Sequence, residues 1–384
     1  MKKIVNFQKT TAFEILAMDI LGKKTLEKNF LVGEIIPPDG EYPFERTDDL
    51  FNDLSTDDLK NLNEKYIIID SMFEGWSTVF HGPFIECFYA SCYKHDIDYD
   101  RIVYVTCNLI EDRIFEDFAK KNNVTKIKTL CLPYAIWDVN KYCKKDVDTH
   151  FNKQKHTSNI KQTNKYVLSL SYRNRRYRTQ ASFMLATSAI SKNCLISHNC
   201  PVDEFYDERT ERSYREWKNW KNQQPTVIDN SIKYNNTLHA KTLFNIVNET
   251  FVEDWQGTSR ELSEKTFVPM TACQPLLIFG QPGSNTFLSE LGFELYTDWF
   301  DLSFDDIPDP ITRYKEILKQ VEDIVKGLNK LPGKKRQRWK FKNEEVIRHN
   351  YQNLKVKNLQ MKQTIASFLL TLAEKEGFEP SKDY

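Results

Sequence analysis

Compact apolar runs alternate with helix-like segments along the first 140 residues of the chain. The runs YIIID at 66–70, RIVYVTC at 101–107 and KIKTLCL at 126–132 have the length and apolar character of buried strands. Between them, residues 82–94 and 111–122 carry apolar side chains at helical spacing. Strands that are separated by helices of this length predict a parallel sheet in an α/β domain.

The same alternation restarts beyond a polar stretch at 140–165, which is rich in Lys and Asn. Low apolar content is typical of a linker, so a domain boundary is predicted there. Gly292 is well placed to end a short helix. The strands predicted beyond the boundary cover 165–171, 193–197, 243–249 and 275–280, and the predicted helices cover 177–191, 262–273, 284–291 and 311–328.

With 384 residues, the chain is too long for one ordinary hydrophobic core and long enough for two domains of common size. We therefore predict an α/β protein with two Rossmann-like domains, one over 1–160 and one over 161–328. A basic helical tail over 329–384 is expected to brace them.

Composition excludes several classes of protein. Hydrophobic residues make up 40% and aromatic residues 13% of the chain, which is enough for packed interiors and excludes a disordered protein. The 54 basic and 54 acidic residues balance, so no whole-chain electrostatic grip on nucleic acid is implied. The eight cysteines form no CxxC pair, and most lie in apolar runs, which favours buried thiols over a metal site or disulfides.

No targeting or membrane segment is expected. The N-terminus lacks a long apolar core, and no run of 18 apolar residues occurs. We therefore expect a cytoplasmic protein without a signal peptide or membrane span. No metal site and no cofactor are expected either: Asp305 and Asp306 are predicted to face solvent, and a cation site around His95, Asp96 and Asp98 is disfavoured.

The segment 261–280 (ELSEKTFVPMTACQPLLIFG) carries the first candidate chemistry. Ser263 is a plausible N-cap, and Glu264 and Lys265 fall in the first turn of the helix that follows. A helix N-terminus offers free N–H donors and partial positive charge, which suits ribose hydroxyls or a diphosphate. The alternative is a capped surface helix with an ordinary Glu–Lys ion pair.

A second cluster places four arginines in the turn that leaves a predicted strand, in SYRNRRYR at 171–178. Ligands of open α/β sheets bind beyond the carboxyl ends of the strands. The guanidinium groups of Arg173 and Arg178 match phosphate oxygens in geometry. The alternative is a solvated basic turn.

Taken in order, these elements resemble the C-terminal half of fucosyltransferase-like glycosyltransferases of bacteria and large tailed phages. The family has a strand ending in an acid, a "TEK" helix start, a strand ending at glycine and a "GS…L…GF" stretch. The matching elements here are 244–249, 263–265, 276–280 and 283–293, and the likeness covers about 165–310. Ser171 and Arg178 match the family's strand-end Ser and the Arg seven residues later. Departures are Ser263 in place of Thr, Tyr172 in place of Asn, and a longer stretch between Glu249 and Glu264.

The resemblance implies a GT-B fold and a nucleotide-sugar donor, with inverting transfer that needs no metal. It implies that Arg178 and Lys265 hold the donor diphosphate, that Glu264 binds the ribose, and that Glu249 lies near the sugar or the base. Ser171, Arg173 and Ser263 complete the predicted donor set.

The first domain is expected to supply the acceptor site and a general base that takes the proton of the acceptor hydroxyl. Candidates follow the strand that ends at Asp70, because the segment between strand end and helix would face an interdomain cleft. We favour Glu74 or His81, with Glu86 as a further candidate. Trp76 could stack on a sugar ring or serve in packing.

The tail segment 334–362 interleaves basic residues with Trp339, Phe341 and Tyr351. It is either an amphipathic helix that packs on the first domain or a nucleic-acid-binding element. Three functions therefore stay open. The chain is a transferase acting on a glycan or small molecule, a phage-type transferase acting on DNA with a hydroxymethylated base, or a non-catalytic nucleotide- or glycan-binding protein on the same scaffold.

Overall fold

A computed structural model shows two compact units. Unit 1 comprises Met1–Trp137, Trp255–Glu261 and Lys357–Tyr384, and unit 2 comprises Asp138–Asp254 and Leu262–Val356. The residues that the structure describes are 5–7, 10–35, 49–52, 54–55, 59, 64–72, 84–140, 142–143, 145–157, 165–171, 176–198, 211–212, 215–216, 218–219, 236–253 and 260–375.

Unit 1 is built on a five-stranded sheet in the order β1-β2-β3-β4-β5. Strand β1 is antiparallel to β2, and the other neighbouring pairs are parallel. The strands are β1 Val5–Asn6, β2 Phe30–Ile35, β3 Tyr66–Ser71, β4 Ile102–Thr106 and β5 Lys128–Cys131; the helices in this part are α1 Ala12–Leu21, α2 Lys23–Asn29, α3 Phe84–Lys94, α4 Glu111–Asn122 and α5 Tyr134–Asn140.

Both faces of this sheet are covered, because alternate side chains of each strand enter different cores. Ile67 and Ile69 join Phe88 and Phe115 in the core beneath α3 and α4. Tyr66 and Ile68 belong to the opposite core, in which α1 supplies Phe13 and Leu16 and the end of the chain supplies Met361, Ile365, Leu369, Leu372 and Ala373. The unbroken apolar run Tyr66–Ile69 thus reflects burial on both faces.

Unit 2 contains a four-stranded parallel sheet in the order β7-β6-β8-β9. Its strands are β6 Val167–Ser171, β7 Cys194–His198, β8 Phe244–Asn248 and β9 Leu276–Phe279. The remaining helices are α6 Val147–Thr157, α7 Arg176–Thr187, α8 Asn236–Lys241, α9 Glu264–Thr271, α10 Ser284–Glu290, α11 Pro310–Asn329, α12 Gly333–Lys340 and α13 Glu344–Lys375. The last of these lies in unit 2 up to Val356 and in unit 1 from Lys357.

The predicted fold class is confirmed: an α/β protein with two Rossmann-like units, each with a largely parallel sheet, and a helical C-terminal segment. Within 140–165, where the sequence predicts a domain boundary, the structure forms a helix that the pattern did not indicate, α6 at Val147–Thr157. Contacts distant in sequence stabilise this polar helix. Phe151 packs edge-to-face on Phe341, and His150 stacks on Tyr351 with ring centroids 4.4 Å apart. The composition of residues 140–165 does not indicate these partners, because they lie about 200 residues further along the chain.

Seven cysteines lie within the described ranges, and none of these seven is in a disulfide; five are buried, and Cys107 and Cys131 are half-buried. Cys200 lies outside these ranges. None of the described helices combines the length and the apolar character that a bilayer span requires.

Asp305 corrects the prediction that the Asp305–Asp306 pair faces solvent. Asp305 is buried, and its carboxylate accepts from the backbone N–H of Asn285 at 3.0 and 3.1 Å and from that of Thr286 at 3.1 Å. These N–H groups belong to the first turn of α10, so a carboxylate from a later loop caps this helix. Only Asp306 is exposed, as predicted.

Removing this cap should destabilise unit 2. Asp305→Ala leaves the N–H donors of the α10 start without a buried acceptor, so we expect the free energy of unfolding to fall by about 2–3 kcal/mol. Asp306→Ala removes an exposed neighbouring carboxylate and should change it by less than about 0.5 kcal/mol. Urea unfolding monitored by tryptophan fluorescence measures both variants, and equal effects would contradict the capping role.

Lys340 is a buried cation in α12. Its Nζ donates to the carbonyl oxygens of His239 at 3.1 Å and Thr242 at 3.0 Å, at the end of α8. Burial lowers the pKa of Lys340 to about 7. An unfolded lysine has a pKa of about 10.4, so between these values the folded chain binds fewer protons than the unfolded chain.

Stability should therefore rise with pH above 7 through Lys340, by up to about 1.4 kcal/mol per pH unit. We expect Lys340→Met to lose this component, because methionine does not titrate. The measurement is the free energy of unfolding in urea at pH 7, 8 and 9 for both proteins. Parallel pH profiles of wild type and variant would show that Lys340 stays protonated in the folded chain.

Candidate active site

The candidate site lies at the carboxyl ends of the central strands of unit 2. Strand β6 ends at Ser171 and β8 ends at Asn248, and Glu249 and Thr250 follow directly. Helix α9 begins at Glu264, with Ser263 as its N-cap. Ligands of open parallel sheets bind at this edge, where strand ends and helix starts meet.

Glu249 forms the centre of the site. It is 3% exposed. Its Oε1 accepts from the Ser263 backbone N–H at 3.1 Å and from Thr266 Oγ1 at 2.5 Å. Its Oε2 accepts from Ser263 Oγ at 2.5 Å and from the Thr250 N–H at 3.2 Å. Both carboxylate oxygens are thus engaged with the protein, and they hold the start of α9 against the end of β8.

Arg178 reaches the same place from α7. It is 3% exposed, and its Nε donates to the carbonyl oxygen of Glu249 at 2.7 Å. Its Nη2 donates to Thr250 Oγ1 at 2.7 Å. The guanidinium plane is therefore fixed by two hydrogen bonds to consecutive residues, which restricts it to one orientation.

Lys265 approaches from the first turn of α9. Its Nζ lies 3.0 Å from Glu264 Oε1, 3.1 Å from Ser263 Oγ and 3.4 Å from Thr250 Oγ1. The Thr250 hydroxyl oxygen is therefore shared by Arg178 and Lys265. Two cations meet at one small polar group beside a helix N-terminus, and the carboxylates of Glu249 and Glu264 lie next to them.

The pKa values of the pair Glu264–Lys265 reflect this field. Burial and then the charge of Arg178 lower the pKa of Lys265, against the opposing effect of Glu264 and Glu249. Burial alone would raise the pKa of Glu264, but the charge and hydrogen bond of Lys265 hold it below its ordinary value. Side-chain exposure is 35% for Glu264 and 11% for Lys265, so Glu264 is the more accessible of the two.

Ser171 lies beneath this surface. It is buried, and its Oγ accepts from Asn248 Nδ2 at 3.0 Å, as does the Oγ of Ser169. This amide links the ends of β6 and β8. Ser171 therefore contributes to the floor of the site through its contact with Asn248.

Arg313 of α11 holds the backbone around the site. Its Nη2 donates to the carbonyl oxygens of Gly280, at 2.7 Å, and Val252, and its Nη1 donates to those of Ile307 and Pro308. The loops that follow β8 and β9 are thereby tied to one buried guanidinium. Arg313 thus fixes the backbone at Val252 and Gly280, just beyond the strand ends that form the site.

Six predicted residues come together in unit 2: Ser171, Arg178, Glu249, Ser263, Glu264 and Lys265. Arg173 and the predicted catalytic residues Glu74 and His81 lie outside the described residues, as does Trp76. Glu86 is half-buried in the first turn of α3 in unit 1.

Two further acids of unit 1 have structural partners. Asp70 accepts from the Phe13 N–H at 3.0 Å and the Met72 N–H at 2.9 Å, and burial raises its pKa. His95 bonds Asp49, with Nε2 and Oδ2 2.8 Å apart. No group of three or more metal-ligating side chains forms within the described part of the chain.

Sequence reasoning missed Thr250, Thr266 and Arg313. Thr250 was visible as the residue after the strand-end acid, and Thr266 as a hydroxyl in the first helical turn. Arg313 interrupts the apolar face formed by Pro310, Tyr314 and Ile317, and a charge at such a position is a signal of a buried, bonded cation.

Comparisons with known proteins assign no family. No family model matches the chain, and no curated protein matches it. One similar solved structure is the α,α-trehalose 6-phosphate synthase from Burkholderia multivorans, with 12% identity and a TM-score of 0.41, covering 82% of this chain and 67% of that one. Another is the N-terminal domain of the Candida albicans trehalose-6-phosphate phosphatase, with 10% identity, a TM-score of 0.41 and coverages of 82% and 66%.

The chain thus spans about two thirds of the length of each of these structures. Similarity at this TM-score and identity assigns no substrate or activity. Neither protein is named as a fucosyltransferase, so the resemblance seen in the sequence stays a prediction. What the fold and the site define is a protein with two Rossmann-like units and a polar site of two cations, two carboxylates and several hydroxyl groups at the carboxyl edge of the second.

Glu249→Gln should loosen the start of α9. All four partners of the carboxylate are donors, so an amide NH₂ group would face donors and lose bonds. We expect the free energy of unfolding to fall by about 2–4 kcal/mol and amide hydrogen exchange at 263–267 to accelerate. Glu316→Gln, at an exposed position of α11 in the same unit, is the matched control. Unchanged exchange at 263–267 would contradict the central role of Glu249.

Proposed function

We propose that this chain is a nucleotide-sugar-dependent glycosyltransferase of the GT-B type, with the donor bound at the carboxyl edge of unit 2. The observation that carries the proposal is the convergence of Arg178 and Lys265 on Thr250 beside the N-terminus of α9. Two cations and a helix start match the charge and the oxygen-rich surface of a diphosphate.

The two cations have complementary tasks. Arg178, oriented by its bonds to Glu249 and Thr250, would offer its remaining N–H donors to the phosphate oxygens, and Lys265 would supply a point charge. Burial and Arg178 lower the pKa of Lys265, and a bound diphosphate would restore its preference for the charged form. When the bond between the sugar and the diphosphate breaks, negative charge accumulates on the leaving oxygen, and these cations stabilise it.

Glu264 is assigned to the ribose. Its carboxylate is held in the ionised form by Lys265 and is partly exposed, so it can accept hydrogen bonds from two adjacent hydroxyl groups. Donor binding would separate the Glu264–Lys265 pair, with the lysine turning to phosphate and the glutamate to ribose. Glu249 and Ser171 position these groups, since their side chains bond other protein atoms.

Arg173 is kept as a further donor-binding residue on the strength of the sequence. Glu74, His81 and Glu86 stay the candidates for the general base in unit 1. In the reaction, the acceptor oxygen forms a bond to the anomeric carbon, the bond to the diphosphate breaks, and the base takes the acceptor's proton. The acceptor is a glycan or small-molecule hydroxyl; the fucosyltransferase-like and phage affinities rest on the sequence resemblance alone.

The first test is a thermal-shift screen with GDP, UDP, ADP, CMP and their common sugar conjugates. A nucleotide at 100 times its dissociation constant adds about 2.7 kcal/mol of stability, which corresponds to a melting shift of about 5–10 °C. We expect one nucleotide to produce such a shift in the wild type and Lys265→Ala to abolish it. Lys319→Ala, at an exposed lysine of the same unit, should keep it.

Two ligands separate the roles of neighbouring residues. Inorganic pyrophosphate, which has no ribose, should stabilise Glu264→Gln as well as the wild type, whereas the nucleotide should stabilise this variant less. Each shift is taken relative to the same variant without ligand. Absence of any nucleotide shift in the wild type would refute the donor site, and loss of pyrophosphate binding in Glu264→Gln would refute the ribose assignment.

Catalysis is tested by release of the nucleoside diphosphate from the sugar conjugate that binds. Release of nucleotide, with or without an added acceptor, supports a transferase. Intact binding with complete inertness toward all acceptors would instead support the non-catalytic binding protein.

A further inference from the structure

The opposite, amino-terminal edge of the unit 2 sheet gathers cations from three separate parts of the chain. Lys192 and Lys241 lie just before β7 and β8. Helix α11 ends at this edge, because Asn329 and Asn193 hydrogen-bond side chain to side chain at 3.4 Å. We use the name basic edge for Lys192, Lys241, Lys330, Lys334, Lys335 and Arg338, all of which are exposed.

Helix α12 is anchored here by its inner face. Arg336 Nη1 donates to the Tyr166 hydroxyl, directly before β6, and Lys340 Nζ donates to the Thr242 carbonyl, shortly before β8. Trp339 packs on Phe244, with ring centroids 5.6 Å apart. The helical period then turns the remaining basic side chains, Lys334, Lys335 and Arg338, to the outer face.

No acidic residue balances this surface locally. Residues 330–342 (KLPGKKRQRWKFK) contain seven lysines and arginines and no aspartate or glutamate. Across the described part of the chain, none of the six cations of the basic edge has a carboxylate oxygen within 4 Å. A solvated surface usually mixes both signs of charge, so this segregation creates a local positive field on a chain of zero net charge.

Three kinds of anionic partner can be compared for the basic edge: an acidic protein, a membrane surface and a nucleic acid. Protein interfaces are depleted of lysine and centre on apolar or aromatic anchors, and membrane-surface helices need an apolar face to insert. The exposed large apolar side chains of the described residues are Ile15, Tyr93, Val356 and Leu359, and none belongs to the basic edge. Binding to a nucleic-acid backbone needs neither an aromatic anchor nor an apolar helix face, since phosphate contacts alone supply non-specific binding.

We propose that the basic edge binds the phosphate backbone of nucleic acid without sequence preference. Lys334 and Arg338 are one helical turn apart, about 6 Å along the axis, which is close to the rise of two nucleotides, about 7 Å. Helix α12 is held in place by the hydrogen bonds of Arg336 and Lys340, so the exposed charges of Lys334 and Arg338 lie on a fixed helix.

This surface is separate from the candidate donor site. The two lie at opposite ends of the same parallel strands, and the five residues of β6 alone span about 16 Å. The inference therefore goes beyond the proposed function, and it would stand if the donor assignment failed. The proposed binding of nucleic acid does not depend on which acceptor the proposed transferase uses.

The test is fluorescence anisotropy of a labelled 20-base-pair duplex DNA of unmodified bases with the full chain. We expect micromolar binding at 50 mM NaCl and a slope of log K against log salt of about −3 to −5. The triple variant Lys334→Glu, Lys335→Glu, Arg338→Glu should bind at least 30-fold more weakly and show a shallower slope. The control Lys23→Glu, Lys24→Glu, Lys28→Glu on α2 makes the same charge change and should stay within threefold of the wild type.

A triple glutamine variant of 334, 335 and 338 guards against misfolding caused by charge reversal, and melting temperatures report folding for every variant. Three results would overturn the proposal. They are failure of the wild type to bind at 50 mM NaCl, an equal loss in the α2 control, and equally tight binding of phosphatidylserine vesicles through the same three residues.

Discussion

The arrangement of unit 2 depends on one buried carboxylate. Glu249 has left water and is surrounded by four donors, two backbone or side-chain groups on each oxygen. A buried charge is tolerated only with such bonding, and the N-terminus of α9 adds a favourable dipole. The same residue's carbonyl oxygen orients Arg178. The positions of Arg178, Ser263 and Lys265 are thus all set relative to a single residue.

The same device recurs elsewhere in the chain. Asp70, the second-last residue of β3, accepts from a backbone N–H at the start of α1, and Asp305 accepts from two at the start of α10. Arg313 is the counterpart of opposite sign, with four backbone carbonyl oxygens around one guanidinium. With only 12 glycines, the chain fixes its strand-to-helix connections with charged side chains, where other Rossmann-like proteins use glycine-rich turns.

The sequence pattern predicts those elements whose formation depends on their own apolar spacing. The strands β3, β4, β6, β8 and β9 and the helices α4, α9 and α11 were predicted within two or three residues, because each is an apolar run or an amphipathic repeat. No element was predicted before residue 66, so β1, α1, α2 and β2 were missed, and α6 was missed because its packing partners are distant in sequence. Arg178 was predicted from its place after a strand, and the Ser263–Lys265 turn from its place at the start of a helix. The structural role of Glu249 was not predicted. It depends on the contact of Glu249 with Ser263 and Thr266, which lie 14 and 17 residues further along the chain.

The last helix has a consequence for the order of folding. All residues of unit 2 precede Lys357, whereas unit 1 takes part of one core from Met361, Ile365 and Leu369. During synthesis, the first-made sheet therefore keeps one face, with Phe13 and Ile68, only partly covered until the last helix is made. Unit 2 has its complete sequence earlier and can fold as an independent body. The core of unit 1 is therefore completed only after the residues of unit 2 have been made, and until then its uncovered apolar face is open to aggregation.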